Sequence, residues 1–265
     1  MNEEQSPRNM LLVGAGGIGT HMAELLVAGL RRVNLQGSIT LMDADIVEAS
    51  NLGHQRYTPA DIGRAKVTCI AERLDDETSS LRVNAEVQNL RHEAQFNDYD
   101  LVVVCVDRPE PRRLVHGLKV PWLDVRCSGD GWMALSSKSE PTLLATMTPD
   151  HEPASCQVAG ALEAGNLEFG FAVAAAFGAQ WALQTWRGRA APVQSMGSLT
   201  YGALAFPEVS AGFNSPTLRN FRSTTRRGRV PVVQRASDAS TTSICWPHKQ
   251  PCQKQVVGTA CTSSR

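Results

Sequence analysis

The sequence predicts an α/β fold built on a doubly wound, mostly parallel sheet that antiparallel strands continue. Three observations carry this. A short apolar run, 9–13, ends in the glycine-rich stretch VGAGGIG, and Ile18, Met22, Leu25, Leu26 and Leu30 follow near helical spacing. Strand-like runs and helical patterns then alternate through the first half of the chain. Residues 101–106, LVVVCV, are apolar without interruption, as a strand covered on both faces must be.

Taken in order, the strand at 9–13 and the helix at 17–32 are followed by a second strand at 38–42, SITLM. An acidic turn, Asp43 to Asp45, leads into an irregular stretch that ends at Gly63. Val67, Ile70, Ala71 and Leu74 then share one face of a helix expected over 64–77. Residues 82–88 alternate like a strand, and Asp107 closes the strand at 101–106. Pro109 and Pro111 suit the first turn of a helix, and 121–125 is a further strand. Beyond Gly129 the texture changes. GWMALSSKSEPTLLATM reads as two antiparallel strands joined by a turn at Ser139 to Pro141. The small apolar residues of 160–187 suit a long buried helix or a broken pair, and 194–206 an edge hairpin.

The 265 residues are 42% hydrophobic and 20% charged, enough for one or two domains with a real core. No apolar run approaches the roughly 18 residues of a membrane span, and the polar, acidic start is unlike a secretory signal. Seven irregularly spaced cysteines argue for reduced thiols and a cytoplasmic protein. Residues 215–265 carry nine Lys or Arg and only Asp238 on the acidic side, a net +8 that residues 1–214 balance with −8. The expected organisation is therefore a folded domain over 1–214 and a basic, disordered tail over 215–265. Arg226, Arg227 and Arg229 could touch nucleic acid or an acidic partner, although a solvated tail with no specific ligand is the expectation.

Gly14, Gly16, Gly17 and Gly19 let the backbone approach a phosphate at a helix N-terminus, and Asp43 ends the second strand where a ribose hydroxyl would sit. That much fits a nicotinamide or flavin enzyme as well as an ATP enzyme. The next stretch adds Asp45, Asn51, His54, Gln55, Arg56 and Lys66, more donors than a dinucleotide needs and suited to a triphosphate. Taken singly, each has a plainer reading: Asn51 in a local turn, Arg56 and Lys66 solvated, Asp107 a helix cap.

As an ordered set these motifs resemble the ThiF/MoeB/HesA family of adenylating enzymes, relatives of ubiquitin-activating enzymes, over about residues 9–205. They comprise GAGGIG, Asp43-x-Asp45, Asn51-Leu52 with Gln55, Asp61-Ile62-Gly63 with Lys66, and Asp107 after an apolar strand. The resemblance implies a Rossmann-like fold, a homodimer, and ATP-dependent adenylation of the C-terminal carboxylate of a small ubiquitin-like protein or peptide. It gives Asp43 the ribose, Lys66 the phosphates and Asp107 a magnesium ion. Cys156, in C-x-x-A-G, matches the position where many relatives carry a cysteine that accepts the activated acyl group, and His151 is its close histidine in sequence. Arg112 matches a basic position of the following helix, where a solvated arginine is the plainer reading. His54 stands where the family usually has arginine, a role that Arg56 could fill, and Arg108 where asparagine is common. No zinc is expected, because paired C-x-x-C ligands are absent and Cys245, His248, Cys252 and Cys261 have unsuitable spacing. An NAD(P)-dependent oxidoreductase and a non-catalytic nucleotide-binding scaffold are the alternatives.

Overall fold

Eight strands form one sheet in the order β3-β2-β1-β4-β5-β6-β7-β8. The computed structural model describes residues 8–153 and 155–207, and the expected tail lies outside them. The first five strands are β1 (Arg8–Val13), β2 (Gly37–Met42), β3 (Leu81–Glu86), β4 (Leu101–Val104) and β5 (Trp122–Ser128), all parallel. Three antiparallel strands follow: β6 (Gly131–Ser136), β7 (Gln194–Ser198) and β8 (Gly202–Ala203). The helices are α1 (Gly17–Arg32), α2 (Lys66–Leu74), α3 (Pro109–His116), α4 (Pro141–Met147) and α5 (Gly170–Trp186).

Strand alternation divides the core. Met10 and Leu12 of β1 face a cluster with Ile18, Met22 and Leu26 of α1, Val67 and Ile70 of α2, and Phe171, Trp181 and Trp186 of α5. Leu11 and Val13 face the opposite way, toward Phe96, Val115 of α3 and Trp122. Burying each such side chain is worth about 1.5–3 kcal/mol, so both faces of the parallel strands must stay covered. Helix α5 lies against α1, and Gly178 makes room for the Met22 sulfur, which a Cβ there would meet at 2.9 Å.

Three elements differ from those that the sequence predicts. The second strand expected after Gly129 is α4. Pro141 occupies its first turn, where a missing N–H costs nothing, and Leu143 buries against Met133 and Leu135. The long apolar helix begins at Gly170, because Gly160 and Gly165 take positive φ (81° and 74°) and break the preceding residues into turns. Helix α2 is also shorter than the expected 64–77.

Candidate active site

The glycine loop joins β1 to α1 at the carboxyl end of the parallel strands, where open α/β sheets bind ligands. Gly14 has φ 102°, and a Cβ there would sit 2.9 Å from the Cys105 carbonyl oxygen. A Cβ on Gly19 would lie 1.9 Å from the Gly14 oxygen, so this approach of helix to loop excludes any side chain. One at Gly17 would press on Cys156 Sγ at 3.3 Å and the His54 carbonyl oxygen at 3.4 Å, whereas one at Gly16 meets nothing within 4 Å.

Asp43 fastens this loop. Its Oδ2 accepts the Ala15 N–H at 2.7 Å and its Oδ1 accepts the Asp45 N–H at 2.9 Å. Burial pushes the carboxyl upward, against the pull of these two N–H groups. Each oxygen retains a lone pair for a hydroxyl. On the other side of Ala15, Tyr57 donates its O–H to the carbonyl oxygen at 2.7 Å.

Lys66 begins α2, and its Nζ lies 3.0 Å from Asp45 Oδ2. These two residues, with Ile46, Glu48 and Asn51, line an open pocket of about 230 Å³. The lysine is sheltered and the aspartate two-thirds exposed, so the pair is easily exchanged for a stronger anion. Asn51 also takes the plainer role of a local turn, its Oδ1 accepting the Glu48 N–H at 2.9 Å. Asp107 is exposed just beyond β4, next to Val106, whose Cγ1 a Cβ at Gly14 would meet at 3.2 Å. Among the described residues no hydrogen bond or ion pair engages the Asp107 carboxylate. The helix cap position belongs to Arg108 instead.

Two candidates lie apart from this pocket. Arg56 is directed to Glu24 of α1, Nε to Oε2 at 2.8 Å, and the same glutamate takes Arg73 at 3.1 Å. His54 is buried, its ring 6.5 Å from that of Phe171, with Gln55 Nε2 3.4 Å from its Nε2. The imidazole Nδ1 and Gln55 Oε1 are buried without a hydrogen-bond partner. The histidine that accompanies Cys156 is therefore His54, from another part of the chain, while His151 is exposed. The Cys156 thiol is pulled downward chiefly by the neighbouring Cys127 thiol, against burial, and further by His54.

A buried charged group, centred on a residue that the sequence does not single out, lies on the strand next to β4. Asp124 of β5 is fully buried and binds Arg112 of α3, His116 Nε2 at 2.9 Å and Arg126 Nη2 at 2.5 Å. Burial pushes this carboxyl up, but Arg112 and Arg126 outweigh it and hold Asp124 far below the usual carboxylate range. Burial in turn lowers Arg112 to about 10, which Asp124 opposes. Arg112 is thus no solvated arginine. Its other nitrogen donates to the Val106 carbonyl oxygen, directly before Asp107, and Arg126 donates to the Met147 carbonyl oxygen and to Thr148 Oγ1. A run of alternating residues, Asp124 and Arg126 in β5, was the available signal.

Among the described residues no group of three or more His, Cys, Asp or Glu could hold a metal ion, and no helix is long and apolar enough to cross a membrane. The chain is 36% identical over 111 residues to the adenylyltransferase and sulfurtransferase uba4 of Aspergillus niger, which is 40% of this chain and 22% of that protein. It is 27% identical over 135 residues to the NEDD8-activating enzyme E1 catalytic subunit of Dictyostelium discoideum, 49% of this chain and 29% of that one. The match thus spans about a quarter of the length of these curated relatives. In fold, the chain is similar to E. coli MccB solved with ATP, at TM-score 0.57 and 17% identity, covering 79% of this chain and 67% of that one. PaaA is similar at TM-score 0.55 and 16% identity, covering 76% and 64%. The model of the ThiF family matches residues 4–221, and the chain belongs to that family.

Proposed function

We propose that this chain binds ATP between the glycine loop and the Lys66 pocket and adenylates the C-terminal carboxylate of a small ubiquitin-like protein or peptide. The observation that carries the reading is the placement of Lys66, Asp45 and Asn51 around one open pocket, with Asp43 fastening the adjoining loop. The adenylyltransferase relatives support it. Gly16 and the N-terminus of α1 receive phosphate, Asp43 accepts the ribose hydroxyls, and Lys66 leaves Asp45 to meet phosphate oxygens. The substrate carboxylate displaces pyrophosphate from the α-phosphorus, and Lys66 offsets the charge that develops.

Asp107 fits a magnesium ligand, being a hard carboxylate that no described residue engages. Magnesium held there would neutralise phosphate charge. The same proposal makes Cys156 the acceptor of the activated acyl group and the protein a cytoplasmic homodimer. A specific observation favours the scaffold reading as a second: His54 is buried and Arg56 is committed to Glu24, so among the described residues the pocket has one cation where the sequence offered three.

Calorimetry with ATP and magnesium, set against NADH, tests the nucleotide. Saturable ATP binding with none for NADH is expected, and NADH binding without ATP binding would overturn the reading. Pyrophosphate exchange with a ubiquitin-like protein ending in Gly-Gly then separates the enzyme from the scaffold.

A further inference from the structure

Four free cysteines lie among the described residues, and two of them meet across the fold. Cys127 sits near the end of β5, and Cys156 lies in the segment between α4 and α5. Their backbones are tied together by the Gly129 N–H, two residues beyond Cys127, which donates to the Cys156 carbonyl oxygen at 2.9 Å. The segment is fixed on its other side as well. The Gln157 amide donates to the Glu168 carbonyl oxygen at 2.8 Å and accepts the Glu168 N–H at 2.9 Å, closing the loop immediately after Cys156. The two cysteines are thereby held as neighbours, packed against the same core and partly exposed.

The four sulfurs have different chemistry. Cys69 is buried, and burial pushes its thiol up. Cys105 donates its S–H to the Val13 carbonyl oxygen at 3.3 Å, and burial pushes it up to about 12. The neighbouring Cys156 and burial push the Cys127 thiol up. Cys156 alone is pulled the other way, with Cys127 and the buried imidazole of His54 on its flank. A thiolate beside a protonated thiol is the arrangement in which one sulfur reacts and the other resolves.

We propose that Cys156 and Cys127 form a peroxide-reactive dithiol site, Cys156 the attacking sulfur and Cys127 the resolving one, that closes to a reversible disulfide. The Cys156 thiolate attacks the terminal oxygen of a hydroperoxide, the O–O bond breaks, and the leaving alkoxide or hydroxide takes a proton from water. The resulting sulfenic acid is attacked by the Cys127 sulfur. The S–S bond forms as the S–O bond breaks, and the Cys127 proton departs with the hydroxide as water. Two electrons pass from the thiols to the peroxide, and no further reductant or oxidant is required.

The inference concerns the thiols alone and needs neither nucleotide nor acyl substrate, so its failure and a failure of ATP binding are read separately. The full chain is reduced, treated with one equivalent of hydrogen peroxide, alkylated and mapped by mass spectrometry. The expected product has lost two hydrogen atoms, carries a Cys127–Cys156 cross-linked peptide and regains both free thiols with dithiothreitol. In Cys127→Ser, sulfenic acid should persist on Cys156 and be trapped by dimedone; in Cys156→Ser, oxidation of Cys127 should slow by about tenfold or more. Peroxide consumption at other cysteines while Cys127 and Cys156 both stay alkylatable overturns the proposal. So does oxidation of Cys156 to a sulfinic acid with Cys127 still free in the wild-type chain.

Discussion

Two charged clusters, one where α2 begins and one on β5, follow opposite rules. At the Lys66 pocket, one cation faces one carboxylate that is two-thirds in water, and the pair shares its space with an open volume of about 230 Å³. Around Asp124, one fully buried carboxylate is surrounded by two guanidiniums and an imidazole that between them also hold the Val106 and Met147 carbonyls. A charge that must exchange partners during binding has to be weakly committed, as Lys66 is. A charge that fixes backbone has to be saturated, because leaving it short of partners in low dielectric is costly.

The contrast is sharpest in stability. Asp124→Ala leaves two buried guanidiniums without their carboxylate and should cost about 3–5 kcal/mol in chemical denaturation. The next effect falls on binding instead. Lys66→Ala and Asp107→Ala should each weaken ATP–magnesium binding by about 10- to 100-fold in calorimetry, or about 1.4–2.7 kcal/mol, with the melting temperature nearly unchanged. Loss of fold in either variant would erase the distinction between the clusters.

Acid separates them further. Asp124 is depressed in the folded state, so its contribution to stability is present above the unfolded carboxylate value, about pH 4, and is lost as pH falls toward the much lower folded value. Asp124→Asn should flatten that acid limb, which circular dichroism follows. The lowered Cys156 thiol implies alkylation by iodoacetamide that is half-maximal below the ordinary thiol range, and His54→Ala should move that midpoint upward. Asp45→Ala should be the smallest effect, under about 1 kcal/mol of stability, because its own carboxylate is two-thirds exposed. A cost comparable to that of Asp124→Ala would break the comparison outright.

The parallel half was legible because its signals are local. The apolar run LVVVCV announces a strand, which ends at Val104, two residues short of the expected 106, and the helix expected over 17–32 has those ends. The segment SEPTLLATM was misread because Pro141 serves a turn or a helix start equally well, and only the burial of Leu143 against β6 decides. The candidate site was legible as a list but not as an arrangement. Lys66 beside Asp45 follows from residues on adjoining elements, whereas His54 beside Cys156 joins positions about a hundred residues apart, and no spacing rule links them. Asp124 escaped for the opposite reason: a lone acid in an apolar strand has meaning only once its partners arrive from α3 and from the rest of β5.

Gly16 has a consequence of its own. Its three companions in the loop are glycine for the sake of the chain, since a methyl group at each would press on protein atoms, but a methyl group at Gly16 presses on none. Gly16→Ala should therefore give a protein with wild-type melting behaviour whose phosphate cradle is blunted. Such a variant is a matched blank for calorimetry and for cellular assays, one in which loss of signal reports on occupancy and not on damage.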